Sequence, residues 1–457
     1  LDDEDPQNYE EAEAIVLRLP LTFAAVLQFG QHMTTTAEKP IVIIGAGMAG
    51  LACACYLHRA GHHVLVLEAA DAVGGRVRTD VTPDGFRLDR GFQILLTKYP
   101  EVQHLIDYGA LQLKAFASGA VIRLPDGRQT TLQNPLQKPT AAFSALTSPI
   151  GTLEDKLRIL SLVRHVSKYA SGQLISRNST NSQTTLEFLR SYGWSEQIID
   201  LFFRPFFGGV YLDRELSTAA NFFEFVFQQF VQGEAAVPAL GMQQIPEQLA
   251  QRLPAGSVRL NTPVDSVQGT TVRLWTDETI EATAVVVAVD GAAAARLLPA
   301  SVSEASAPAW RHTTCTYFAA AHSPGRADKL LRLNAAHNVL AHNVSVPSDV
   351  APDYAPTGQT LVSVSTQGEH MLSEEELTAR LRQELTAWFG PEAATWRHLR
   401  TYPISHALPV YSAGQPARQA LKVEEHLYRC GDYTAYPSLN AAIATGREVA
   451  EMIGSAT

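Results

Sequence analysis

An α/β fold joined to an α+β region is predicted for this 457-residue chain by three observations. The first is a strand–turn–helix–strand order in IVIIGAGMAGLACACYLHRAGHHVLVLE, residues 41–68. The second is a capped, small-residue helix near the chain end, in YRCGDYTAYPSLNAAIATGREVAEMI, residues 428–453. The third lies between them: nine of the 18 phenylalanines fall within residues 198–233, five apolar positions of which recur at helical spacing.

Composition narrows the functional classes. The chain is 46% apolar and 18% charged, enough to bury two or three domain-sized cores. A formal charge of −10 with no Lys/Arg run argues against a nucleic-acid partner, whose phosphates need a concentrated basic face. Cys53, Cys55, Cys315 and Cys430 have no zinc-ligand or CxxC spacing. Neither a disulfide framework nor a metal site is therefore expected, and a reducing cytoplasm is the expected location. Residues 1–37 are expected to be an N-terminal extension, disordered or added upstream of a start at Met33. The broken apolar patch Ile15–Phe29 is too short to span a bilayer, and the alternative reading is a short amphipathic anchor helix.

The first strand should cover Ile41–Ile44, the helix Met48–Ala60, and the second strand Val64–Leu67. Between strand and helix stands Gly45-x-Gly47-x-x-Gly50. Gly45 permits the tight turn, Gly47 lets a pyrophosphate approach the backbone, and Gly50 lets helix and strand pack closely. The helix N-terminus adds unpaired N–H groups and partial positive charge. Glu68, 23 residues after Gly45, can accept ribose hydroxyls and would repel a 2′-phosphate, which disfavours NADP. This Rossmann-like unit does not by itself separate NAD from FAD.

EAADAVGGRVRTD follows directly, with Gly74, Gly75, Arg76 and Thr79. Here the chain resembles the FAD-binding amine oxidase superfamily, which includes monoamine and polyamine oxidases, protoporphyrinogen oxidase and the carotenoid desaturases. The resemblance implies FAD: a second glycine pair runs against the diphosphate and ribityl chain, and Arg76 supplies charge there. It further implies that Gly91, Phe92 and Gln93 of GFRLDRGFQIL pass the flavin ring. Val264 of NTPVDSV would hold the adenine through its backbone. Gly431 and Asp432 would make the second phosphate and ribityl contact. Ser438 can cap a helix starting near Leu439, which brings Asn440 and Ala441 to the flavin with a dipole that favours the anionic reduced form.

The FAD-binding domain is thus expected to be discontinuous, from residues 38–100, 240–295 and 400–457. Residues 101–239 and 296–399 are expected to form a substrate-binding domain of mixed sheet and helices. Its stripe of Phe222, Phe223, Val226, Phe227 and Phe230 reads as helix-to-helix core or as the wall of a cavity for a large apolar substrate. Arg204, in a stretch resembling protoporphyrinogen oxidase, reads as a carboxylate anchor or as a structural ion pair. Tyr411, in ISHALPVYSAGQ, reads as a cavity residue or as a hydrogen-bonded core tyrosine.

Departures from the family also inform. No cysteine lies within ten residues of Gln415, where monoamine oxidases tether the flavin, so FAD is expected to be non-covalent. The cage tyrosine before the final helix is replaced by Ser438, and TTCTYFAAA (313–321) has no lysine to stand opposite the flavin. The leading expectation is an FAD-dependent oxidoreductase that dehydrogenates a bulky hydrophobic substrate, carotenoid- or porphyrinogen-like. Oxygen or a quinone would be the acceptor, and an exposed apolar patch would permit peripheral membrane contact. The alternatives are an amine oxidase acting on polyamines or aryl-alkylamines, and an FAD-binding protein without redox turnover. Substrate identity, catalytic acid or base, and oligomeric state stay open at this level.

Overall fold

The computed structural model describes residues 39–133, 148–177, 182–299, 309–325 and 327–455. The extension expected over 1–37 lies outside them. A six-stranded sheet runs in the order Val258–Arg259, Val64–Leu67, Ile41–Ile44, Ala284–Val287, Leu427–Arg429, Lys422–Glu424. Its first five strands are parallel and the last is antiparallel. Three stretches far apart in sequence therefore share one sheet. The central strands IVII, VLVL and AVVV are buried along their whole length. An unbroken apolar run is what a parallel strand covered on both faces requires.

On one face of this sheet, the first helix (Met48–Arg59) packs against the final helix (Leu439–Gly454). The two approach so closely that a Cβ at Gly446 would stand 2.3 Å from the Ala49 carbonyl oxygen. On the other face Val42, Ile44, Val285 and Val287 join Val272 and Leu274 of a three-stranded sheet in a second core.

A seven-stranded sheet follows the order Arg397–Pro409, Trp310–Ala320, Thr360–Gln367, Asn343–Ser345, Leu331–Asn334, Gly119–Arg123, Gln129–Gln133. The helix Glu374–Phe389 covers one face, through Leu377, Leu381, Leu385 and Trp388 against Phe318, Val344, Val362 and Val364. The other face, with Cys315, Tyr317 and Leu333, joins the main core. Residues 400–409, which sequence places with the FAD-binding domain, run in this second sheet. The strand Trp310–Ala320 fixes them there, in antiparallel register from Trp310↔Pro409 to Ala319↔Arg397.

The phenylalanine-rich stretch forms one turn of π-helix (Ile199–Phe203), the helix Arg204–Tyr211, and the helix Ala220–Gln232. Phe203, Phe207, Phe222, Phe223 and Phe225 are fully buried, with Phe207 and Phe223 edge to face at 4.8 Å. Pairs of this kind contribute about 0.5–1.5 kcal/mol beyond area burial. The opposite side of Ala220–Gln232 is also buried, yet polar. Asn221 donates to the Ile175 carbonyl at 2.7 Å, and Gln228 donates to the Val166 and Tyr169 carbonyls at 2.7 and 2.8 Å. Glu224 meets the His165 Nε2 at 2.7 Å. Gln228 thereby bonds the last carbonyl of the helix Leu153–Val166 and that of Tyr169 just beyond its end.

Candidate active site

The three glycines of the first loop do different physical work. Gly45 has φ +105°, and a Cβ there would sit 2.9 Å from the Ala288 carbonyl oxygen. A Cβ on Gly50 would fall 2.0 Å from the Gly45 carbonyl oxygen, so any side chain would force strand and helix apart. Gly47 differs: its Cβ would meet nothing within 4 Å. That open ground lies at the start of the helix Met48–Arg59, whose N-cap residue is Gly47 and has no side-chain cap. A diphosphate fits there, against first-turn N–H groups and the positive end of the helix.

The second glycine loop closes onto the first. The Gly74 N–H donates to the Ala46 carbonyl at 2.8 Å, Gly47 and Gly74 form a parallel bridge, and a Cβ on Gly75 would touch the Gly47 Cα at 3.4 Å. Glu68 stands at the end of the second strand, and its carboxylate accepts from the Ala46 and Ala70 N–H groups at 2.7 and 2.9 Å. Beside it, Asn261 and Thr262 donate backbone N–H groups to the Ala70 and Glu68 carbonyls, which sets Val264 close by at a kink in its strand. The adenosine end of a dinucleotide fits this corner.

Arg76 extends from the second loop to the last segment of the chain. Its Nη2 donates to the Asp432 carboxylate at 2.6 Å and its Nη1 to the Ala407 carbonyl at 3.0 Å. Burial alone would lower its pKa, but the charge and hydrogen bond of Asp432 outweigh that and raise it, with Asp290 adding to the effect. The guanidinium also lies 5.6 Å from the Trp310 ring, on which His406 stacks at 4.9 Å. Asp432 is only 6% exposed and Arg76 37%, so the pair has one open side. Gly431 donates its N–H to the Thr445 hydroxyl of the final helix at 3.0 Å. Ser438 caps that helix by accepting from the Ala441 N–H at 3.0 Å. Asn440 is used internally, accepting from the Glu101 N–H and donating to the Tyr436 hydroxyl.

Gln93 joins the segment 91–93 to this group, since its Nε2 donates to the Arg76 and Arg90 carbonyls at 2.8 and 3.2 Å. Gly91, at φ +104°, faces Ile404 of the seven-stranded sheet so closely that a Cβ would come 2.7 Å from Ile404 Cδ1. Phe92 packs edge-on against Phe116. Two residues before Gly91 is a hub that sequence reading misses. The buried Asp89 carboxylate accepts from the Thr79 hydroxyl (2.6 Å), the Met242 N–H (3.0 Å) and the Tyr354 hydroxyl (2.8 Å), while its carbonyl accepts from Tyr317 at 2.8 Å. Burial pushes its pKa up to about 6 against those hydrogen bonds. Nothing local marks it, because three of its four partners are more than 150 residues away. Trp310 and His406 carry no local mark either.

Arg204 and Tyr411 stand apart from this group. The Arg204 guanidinium binds the Asp200 carboxylate at 3.0 Å and the Arg214 carbonyl at 2.7 Å, with Glu215 at 3.5 Å, a structural arrangement. Tyr411 is buried, its hydroxyl accepts from Asn221 at 3.2 Å, and its ring lies edge-on to Phe222. Phe222 also touches Tyr436 and Tyr211. Among the described residues no group of three His, Cys, Asp or Glu side chains could hold a metal ion.

Two glycine loops, an acidic strand end and an Arg–Asp pair around one helix N-terminus define a protein that binds a dinucleotide cofactor. The family comparison is specific: the profile of the flavin containing amine oxidoreductases matches residues 48–454, and the chain belongs to that family. A pyridine nucleotide-disulphide oxidoreductase profile matches residues 12–82. A putrescine oxidase of Kocuria rosea is 30% identical over 285 residues, 56% of this chain and 57% of that protein. A chloroplastic/mitochondrial protoporphyrinogen oxidase 2 of Arabidopsis thaliana is 30% identical over 180 residues, 39% of this chain and 34% of its own. The matched stretches therefore span 57% of the putrescine oxidase and 34% of the protoporphyrinogen oxidase. Among solved structures, putrescine oxidase bound to putrescine superposes with a TM-score of 0.68 at 19% identity, covering 92% of this chain and 99% of the other. Cyclohexylamine oxidase from Brevibacterium oxydans gives 0.67 at 17%, covering the same 92% of this chain and 99% of its own. The cofactor is FAD, and the open ground at Gly47 and the one-sided Arg76–Asp432 pair are the features of this chain that fit it.

Proposed function

We propose that the protein is an FAD-dependent oxidoreductase that dehydrogenates a bulky apolar small molecule, carotenoid- or porphyrinogen-like, with oxygen or a quinone as acceptor. Bound FAD supplies the acceptor for the hydride. The chain's own groups do the rest. First-turn N–H groups after Gly47 and the Arg76 guanidinium would neutralise the diphosphate. Ser438 holds the final helix so that its N-terminal N–H groups would face developing negative charge on the ring. The hub at Asp89 holds the segment that leads to Gly91 and Phe92.

The observation that carries the substrate reading is Phe222. Its ring packs against both Tyr411 and Tyr436, and both tyrosines are buried, which disfavours their serving as open cage walls for a cation. Non-covalent attachment is supported by the thiols. All four are buried, and burial raises Cys55 and Cys315 to about 11, Cys430 to about 12 and Cys53 well above its ordinary value, which disfavours the reactive thiolate form.

A second reading, an amine oxidase, is favoured by the 30% identity to putrescine oxidase. Anaerobic mixing of the holoprotein with putrescine, benzylamine, a polyene precursor and a porphyrinogen separates them through loss of oxidised-flavin absorbance. Bleaching by the polyene or porphyrinogen alone supports the proposal, and bleaching by the amines alone replaces it with the second reading. No bleaching by any of the four, in a protein that dithionite bleaches, would leave a flavin-binding protein without turnover on these substrates.

A further inference from the structure

The helix Leu153–Val166 turns one carboxylate inward and a row of leucines outward. Asp155, Leu162 and Val166 face inward, and the Asp155 carboxylate is satisfied by the Ser195 N–H at 3.0 Å, the Ser195 hydroxyl and the Thr152 N–H at 2.7 Å. The outward face carries Leu153, Leu157 and Leu160, which are 64%, 60% and 45% exposed. Spacings of four and three residues align these leucines in one stripe. The other large exposed apolar residues, among them Val81, Leu240, Trp275 and Met371, are scattered, with no two on one helix. A single exposed leucine needs no explanation; three in register form a patch.

The same stripe continues into charge. Arg164 is four residues beyond Leu160, and Lys168 follows just past the helix end. Both are exposed, and neither has an ion-pair partner among the described residues, whereas neighbouring Arg158 is bound to Glu154 at 3.2 Å. Two unspent cations beside three leucines are conspicuous on a chain of net charge −10. Apolar side chains that enter the acyl boundary, flanked by cations at headgroup level, are the chemistry of an interfacial helix on an anionic bilayer. No helix among the described residues is long and apolar enough to cross one.

We propose that the stripe Leu153–Leu157–Leu160–Arg164 docks this protein, in the plane of the surface, on a membrane carrying anionic lipid. The inference is independent of the substrate, since its readout is binding and not turnover. Holoenzyme is sedimented with vesicles of phosphatidylcholine alone and with vesicles of equal parts phosphatidylcholine and phosphatidylglycerol. The expected result is binding to the mixed vesicles only, weakened by salt. Leu157→Asp should lower the vesicle partition coefficient about tenfold or more, because it sets a charge in the apolar stripe. Arg164→Glu should also weaken binding, while Met371→Asp, at a fully exposed site elsewhere, should bind like the parent. Flavin content and melting temperature should match the parent in all three, which separates lost docking from misfolding. Binding to neither vesicle, equal binding to both, or binding untouched by Leu157→Asp overturns the proposal. So does a lipid-free dimer that Leu157→Asp converts to monomer, which would make the stripe an interface between copies.

Discussion

The glycine loops at 45–50 and 74–76 and the aromatic helices at 204–232 solve opposite packing problems. In the loops the working groups are backbone atoms, and side chains are excluded so that chain can approach chain or ligand. In the helices the working groups are side chains, and ring packs against ring. Removing an atom should therefore do little in the first region and much in the second, whereas adding one should do the reverse.

Gly50→Ala gives the largest expected effect. Its Cβ would stand 2.0 Å from a backbone oxygen that cannot swing away, so the βαβ unit should lose more than about 4 kcal/mol, read as loss of soluble yield and of the thermal transition. Gly47→Ala, three residues earlier, has space and should leave the melting temperature of the apoprotein within about 1 kcal/mol of the parent, yet weaken FAD binding. Equal damage from both would break the distinction between packing and cradle. In the helices, Phe222→Ala should cost about 3–5 kcal/mol by calorimetry, because four aromatic neighbours lose a partner at once.

Arg76→Ala sits between these cases. It leaves a nearly buried Asp432 without its cation next to the expected diphosphate, so FAD should dissociate about 10–100 times more readily while the apoprotein still melts cooperatively. Fluorescence titration of the apoprotein with FAD measures this directly. The smallest effect concerns Asp89. Its folded pKa, raised from 3.8 to about 6, means that the folded protein holds more protons than the unfolded chain between those values. Its contribution to stability is therefore greatest at low pH, falls as pH rises from 3.8 to about 6, and is constant above. Asp89→Asn should remove that component, seen as a difference between parent and variant urea midpoints across the window.

The contrast between the regions also explains what is legible in the sequence. A backbone that must come within 3 Å of another backbone leaves glycine as its mark, so Gly45, Gly50 and Gly74 are visible locally, as are Ser438 at its helix cap and Glu68 at its strand end. A side chain's role depends on partners that sequence does not place. From sequence Arg204 reads as a carboxylate anchor or, somewhat more readily, as a structural ion pair, and in the fold Asp200 and the Arg214 carbonyl lie against it. The phenylalanine stripe of 220–232 was plain, but the buried polar side of the same helix was not, since Asn221 and Gln228 look solvated until the ends of two other helices meet them. Asp89 is invisible for that reason, and residues 400–409 join the seven-stranded sheet because their pairing partner begins about ninety residues upstream, which local sequence does not show.

The most direct test is the pigment of the protein itself. The purified protein, saturated with FAD and desalted, should carry one flavin per chain, released intact as free FAD on acid precipitation, and Gly47→Ala together with Arg76→Ala should abolish that retention without unfolding the apoprotein. A chain that retains no flavin while folded, or one whose flavin retention ignores both substitutions, would contradict the account.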